Sequence, residues 1–212
     1  MTIDQPPFKT PRPLEYAEHF RPGMGTEYVG PFLRALAQML RPRRILEIGA
    51  GYTTPFLLEA LVNNERVLDD GNLCEKYFSE YYYEPKLIVI DDMSMGDLQK
   101  RPGMNHIIHS PYVDYVEGLF QGKAQSLFQK YGAFDFVWFD CGGPPEYEAF
   151  LSEYLSICSS YVFFHFTYSA GQPNPNLEII QSYISDQWCL LDIIEPHKKR
   201  QGSVTVAKRL IN

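Results

Sequence analysis

The residues best placed for chemistry stand at the ends of short apolar runs. In RILEIGAGYTT, residues 44–54, Glu47 lies inside the run Ile45–Ile48, two residues before Gly49-Ala50-Gly51. Lacking Cβ, the two glycines let the chain turn sharply and let backbone N–H groups approach a ligand. A carboxylate inside an apolar run is costly to bury unless it meets something cationic or rich in donors. Asp91 closes a second run, Leu87–Ile90, where an acid can accept both hydroxyls of a ribose. Capping the next helix is the plainer role for Asp91, and Asp92 competes for the ribose.

Asp140 ends a third run, Phe134–Phe139. It could orient an acceptor, act as a base, bind a metal, or merely cap the loop Gly142-Gly143-Pro144. His165 lies in Tyr161–Phe166 and titrates near neutral pH when unperturbed, as a general base would. A lone histidine in an apolar strand is more often a hydrogen-bonded core residue. Tyr147 and Tyr168 could align an acceptor through their hydroxyls, and His19 could reach the site if the segment before it folds over as a lid. Cys141 follows Asp140 but has no evident activating base. Aromatic residues make up 15% of the chain, and Tyr52, Trp138, Phe139, Phe164 and Phe166 fall near these strand ends, as pocket wall or as core.

The elements that must position these groups alternate. A helix capped by Thr26 is expected to run to Leu40, stopped by Pro42, then strand Ile45–Ile48 and helix Thr53–Val62 with Pro55 in its first turn. Residues 63–86, acidic and tyrosine-rich, read as an insertion with a short helix over Leu73–Tyr83. Its Tyr77, Phe78, Tyr81 and Tyr82 would pack on a second subunit, cover the acceptor pocket, or rest on their own domain. Strand Leu87–Ile90, a weak helix Met95–Lys100, strand Val113–Glu117, helix Ala124–Tyr131 and strand Phe134–Phe139 follow. Helix Glu146–Ile157, strand Tyr161–Phe166, helix Leu177–Ser185, and strands Trp188–Ile194 and Ser203–Lys208 complete the chain. Alternating strands and helices mean a parallel sheet covered on both faces. The last two strands are joined by eight polar residues, too few for a crossover helix, so that pair must be antiparallel. The expectation is one domain over 26–212, preceded by a Pro-rich arm or lid over 1–25.

The totals narrow the function. A net charge of −7 argues against a nucleic-acid backbone as main partner. No apolar run approaches the roughly 18 residues of a membrane span, and no targeting signal is visible at the N-terminus. Cys74, Cys141, Cys158 and Cys189 form no CxxC pair and read as reduced thiols in a cytoplasm.

E-x-G-x-G after the first strand, an acid ending the second, YVEGLF at 115–120, FDFVWFDCGGPPEY at 134–147 and the terminal antiparallel pair together resemble the class I S-adenosylmethionine-dependent methyltransferases. LEIGAGYTTPFLLEAL and FDFVWFDCGGPPEYEAFL are most similar to the small-molecule O-methyltransferases related to catechol O-methyltransferase. The resemblance implies a Rossmann-like, doubly wound, mostly parallel seven-stranded sheet. It implies S-adenosylmethionine as cofactor, with Glu47, Gly49, Ala50 and Gly51 at its methionine end, Asp91 on the ribose, and Gly118 and Leu119 flanking the adenine. In the catechol-type enzymes the aspartate at the position of Asp140 shares a divalent ion with an Asp-Asn pair after the fifth strand. Here Phe164-His165-Phe166-Thr167-Tyr168 stands there without a carboxylate, so no required metal is expected.

The expected activity is methyl transfer to a small, biosynthetic metabolite, on oxygen, free or carrier-tethered, by a protein that could be a homodimer. The rivals are other chemistry of the same cofactor (aminocarboxypropyl transfer or cyclisation) and a non-catalytic module of the same fold. A dinucleotide enzyme is disfavoured, because Thr54 stands where its fingerprint wants a third glycine.

Overall fold

The computed structural model describes residues 20, 23–66, 83–195, 197–198 and 202–210. The N-terminal arm with His19, apart from Phe20 and Gly23–Gly25, and the tyrosine-rich helix expected over Leu73–Tyr83, apart from Tyr83, lie outside them. The elements are α1 (Val29–Leu40), β1 (Arg44–Ile48), α2 (Thr54–Arg66), β2 (Lys86–Asp91), α3 (Met95–Leu98), α4 (Met104–Ile108) and β3 (Val113–Glu117). Then come α5 (Ala124–Tyr131), β4 (Phe134–Phe139), α6 (Pro144–Tyr154) with a 3₁₀ turn at Leu155–Ile157, and β5 (Cys158–His165). A two-strand ribbon, β6 (Tyr168–Ser169) and β7 (Gln172–Pro173), precedes α7 (Pro175–Tyr183), β8 (Trp188–Ile194) and β9 (Ser203–Arg209).

The seven-stranded sheet has the order β3-β2-β1-β4-β5-β9-β8. Strands β1 to β5 are parallel, β9 runs antiparallel to β5, and β8 antiparallel to β9. The chain starts in the middle, works outward to β3, and returns across β1 to β4. The switch point of the sheet therefore lies between β1 and β4, where an open α/β sheet leaves its crevice.

Alternation along the strands divides the core between two helical layers. Ile45, Val89, Phe136, Trp138 and Phe163 face α1, α2 and α4, meeting Leu33, Ala37, Leu57 and Ile107. Leu46, Ile90, Val137, Phe139 and Phe164 face α5, α6 and α7, meeting Leu127, Phe150 and Ile180. Glu47 and His165 share the parity of the first set, and Glu47 pairs with Trp138 in the β1/β4 register. The sequence thus puts one carboxyl and one imidazole on the inner, apolar face of the sheet, just below its carboxyl rim.

Several boundaries differ from the sequence reading. Thr26 starts no helix. Its carbonyl accepts the N–H groups of Val29 and Gly30, making a turn from which α1 begins at Val29. Helix α2 runs on to Arg66 and β2 begins at Lys86, so the insertion over 63–86 shrinks from both ends. The expected helix Met95–Lys100 ends at Leu98, and α4 follows after Gly103, which takes φ of 73°. Helix α6 starts two residues early, on Pro144 and Pro145, since the first turn has no use for their missing N–H groups.

Candidate active site

The glycine loop is fixed by its own backbone. Gly49 N–H donates to the Ile90 carbonyl at 2.9 Å, Ala50 N–H to Asp91 Oδ2 at 2.7 Å, and Gly51 N–H to Thr54 Oγ1 at 2.9 Å. Gly49 holds φ of 102°, and a Cβ there would stand 2.6 Å from the Asp140 carbonyl oxygen. Two requirements, a left-handed backbone and a close approach to β4, make that position glycine. Gly51 differs: a Cβ there would meet nothing within 4 Å. Its missing side chain leaves open space, not a packing contact.

That space is a cavity of about 390 Å³ lined by Met24, Thr26, Gly49 to Thr53, Asp91, Arg101, Pro102 and Asp140. Expected residues Gly49, Ala50, Gly51, Asp91 and Asp140 meet there. Asp91 is held by two N–H groups, Ala50 on Oδ2 and Met93 on Oδ1 at 2.8 Å. Tyr115 supports the same turn by donating to the Met93 carbonyl at 2.5 Å. Asp92, by contrast, is exposed and does not line the cavity. Gly118 donates its N–H to the Asp91 carbonyl at 2.8 Å, which places it beside the site but off its wall. Leu119 points largely to solvent.

Glu47 is fully buried behind the loop. Thr53 donates its hydroxyl to Oε1 at 2.6 Å, while Oε2 has no hydrogen-bond partner. Burial pushes its carboxyl up to about 8, against the pull of the Thr53 and Thr54 hydroxyls. The same burial leaves Trp138 Nε1, next to Glu47 across β1 and β4, without a partner. The expected contact of Glu47 with the methionine end of the cofactor is corrected: the carboxyl stands behind the loop and does not line the cavity.

His165 does not face the cavity. Its ring is 1% exposed, lies against Trp138 with centroids 5.4 Å apart, and places Nδ1 2.8 Å from Asp140 Oδ1. The expectation of a base touching an acceptor is corrected: the imidazole stands behind the carboxylate that does line the cavity. Tyr147 is corrected in the same way. It is almost wholly buried, its hydroxyl donates to the His165 carbonyl, and burial raises it well above the ordinary phenol range. Tyr168 is also turned aside, with its hydroxyl donating to Asp192 Oδ2 at 2.8 Å and its N–H to Ser203 Oγ at 3.0 Å. Cys141 is no nucleophile, since burial pushes its thiol up to about 11.

A divalent ion of the catechol kind finds no fitting donor set. Asp140 Oδ1 is engaged by His165, and no group of three or more His, Cys, Asp or Glu side chains that could hold a metal occurs among the described residues. Met24, Thr26, Arg101 and Pro102 were not anticipated. They come from turns outside the strand-end pattern, where periodicity carries no signal.

No protein-family model and no curated protein matches the sequence. Solved structures match the fold. An O-methyltransferase from Bacillus cereus in complex with SAH superposes with a TM-score of 0.61 at 16% identity, over 92% of this chain and 87% of its own. TomG from Streptomyces achromogenes, an O-methyltransferase of tomaymycin synthesis in complex with SAM, gives 0.60 at 18% identity, over 93% and 86%. The SAH-bound methyltransferase PaMTH1 from Podospora anserina gives 0.59 at 15%, over 94% and 89%. The chain has the Rossmann-like methyltransferase fold, a mostly parallel seven-stranded sheet closed by an antiparallel pair.

Proposed function

We propose that this protein is an S-adenosylmethionine-dependent methyltransferase acting on oxygen of a small metabolite, free or carrier-tethered. The observation that carries this reading is the convergence of Gly49–Gly51, Asp91 and Asp140 on one cavity at the switch point of the sheet. The neighbours in fold, solved with SAM or SAH, support the choice of nucleoside. The residues fit it. Asp91 accepts the ribose hydroxyls with the lone pairs its two backbone donors leave over. Gly51 leaves room for the thioether chain.

When bound, the cofactor supplies a methyl group on a positively charged sulfur. The chain's task is to hold an acceptor oxygen in line with that carbon, about 3 Å away, and to exclude water. Asp140 is the cavity's carboxylate at the β4 rim. It orients the acceptor hydroxyl and takes its proton as the oxygen gains the methyl group and the thioether leaves. His165, hydrogen-bonded behind it, fixes which way the carboxylate points.

The test is product analysis. Purified protein is incubated with S-adenosylmethionine and fractionated small-molecule extracts in the presence of a chelator. Formation of S-adenosylhomocysteine, lost in Asp140→Ala, is the expected result. Methylthioadenosine in its place, or no consumption with any fraction, would overturn the reading.

A further inference from the structure

Among the described residues on the wall of this cavity the cation is Arg101, which has no task in the strand-end pattern or in methyl transfer as proposed. It sits in the turn between α3 and α4. Its N–H donates to the Leu98 carbonyl at 3.1 Å, and its carbonyl accepts from Met104 at 3.1 Å, so its backbone is fixed at both ends. The half-buried side chain reaches across to the glycine loop, with Nη1 3.5 Å from the Ala50 carbonyl oxygen. That is a long contact for a group with five N–H donors, and it leaves the guanidinium with donors to spare beside the cavity.

The Ala50 peptide is thereby held from both sides. Asp91 accepts its N–H at 2.7 Å, and Arg101 approaches its carbonyl. An acceptor and a donor group thus converge on one residue and line one space. A sugar diol is the chemistry that uses both, because each hydroxyl gives a proton and takes one. The charges along the cavity point the same way. A guanidinium beside the sulfonium would repel it, whereas Asp140 on the same cavity wall would attract it.

Resting on the functional reading above, we propose that Arg101 is a cofactor-binding residue that donates to the ribose oxygens opposite Asp91. It would fix which way round the nucleoside lies, with ribose toward Arg101 and sulfur toward Asp140.

The experiment is calorimetric titration of wild-type protein, Arg101→Gln and Arg101→Lys with two probes, S-adenosylhomocysteine and methylthioadenosine. Both carry the ribose, but only the first carries the amino-acid end. Arg101→Gln is expected to weaken both probes by the same factor, about tenfold, while Arg101→Lys, which keeps donors, recovers part of the loss. Unchanged thermal melting of the variants without ligand establishes that the fold is intact; a variant that melts early is replaced by Arg101→Met and titrated again. If S-adenosylhomocysteine weakens and methylthioadenosine does not, Arg101 grips the carboxylate end and the inference is overturned. It is equally overturned if neither probe weakens. Failure of the wild-type protein to bind either probe would instead sink the functional reading.

Discussion

His165 Nδ1 lies 2.8 Å from Asp140 Oδ1, with the imidazole sealed from solvent and the carboxylate side chain 31% exposed. The two ends of this bond are therefore not equivalent. Asp140→Ala removes the carboxylate that accepts from the buried imidazole, a loss of about 1–3 kcal/mol. Asp140→Asn keeps an oxygen in place and should cost under half as much. His165→Asn, whose amide nitrogen can stand in for Nδ1, should be milder than His165→Ala. Urea unfolding of the four variants checks this ranking; equal losses for Asp140→Ala and Asp140→Asn would contradict it.

The two loop glycines should behave oppositely. Gly49→Ala meets the Asp140 carbonyl at 2.6 Å from a backbone with φ of 102°, so it should destabilise the fold by about 2 kcal/mol or more. Gly51→Ala meets nothing and should leave thermal stability within about 0.5 kcal/mol. Its methyl group would nevertheless stand in the cavity, and affinity for S-adenosylhomocysteine should fall severalfold. A Gly51→Ala protein that melts early would show that this residue packs against something.

Glu47 links stability to pH. Its carboxyl is raised by burial to about 8 in the folded protein, so the folded state holds a proton that the unfolded chain releases above its ordinary value of 4.5. The contribution of Glu47 is then fully present at low pH and lost as pH rises, at on the order of 1 kcal/mol per pH unit, until the folded group itself ionises near 8. Glu47→Gln carries no such dependence. The melting temperature of the wild type relative to Glu47→Gln, without ligand, should decline between about pH 5 and pH 8. A flat difference would contradict a neutral buried acid.

Asp91 and Asp92 are adjacent in sequence but differ in task. Asp91→Ala removes the acceptor of two backbone N–H groups and one wall of the cavity, so it should lower both stability and nucleoside affinity. Asp92→Ala, on the exposed side of the turn, should change neither beyond error. Calorimetry with S-adenosylhomocysteine and parallel thermal melts separate the two; equal effects on affinity would return the ribose role to an open choice.

What the sequence makes legible depends on which physical signal each element carries. Strand Phe134–Phe139, helix Ala124–Tyr131 and strand Trp188–Ile194 are read to the residue, because apolar runs or apolar faces there end at polar or glycine positions. Strand β5 begins three residues earlier than its aromatic run, since Cys158-Ser159-Ser160 carries no strand signal until it pairs with β4. The short α4 and the β6/β7 ribbon have too few residues to show a period. At the site, the loop and the acids at the strand ends are visible because position alone brings them to the rim. The direction of a side chain is not visible. Tyr147 lies in the helix that follows directly on the rim at Asp140, yet the face of α6 that carries it turns into the core. Arg101 is hidden for the opposite reason: an ordinary charged turn residue gains its place only from the fold.

The cavity beside Gly51 is expected to take an S-adenosyl nucleoside. Co-crystallisation with S-adenosylhomocysteine measures this most directly. The nucleoside is expected at the switch point between β1 and β4, with its ribose hydroxyls on Asp91 and its sulfur on the Asp140 side of Gly49. A nucleoside bound elsewhere, or lying in the reverse direction with its adenine against Asp140, would contradict it.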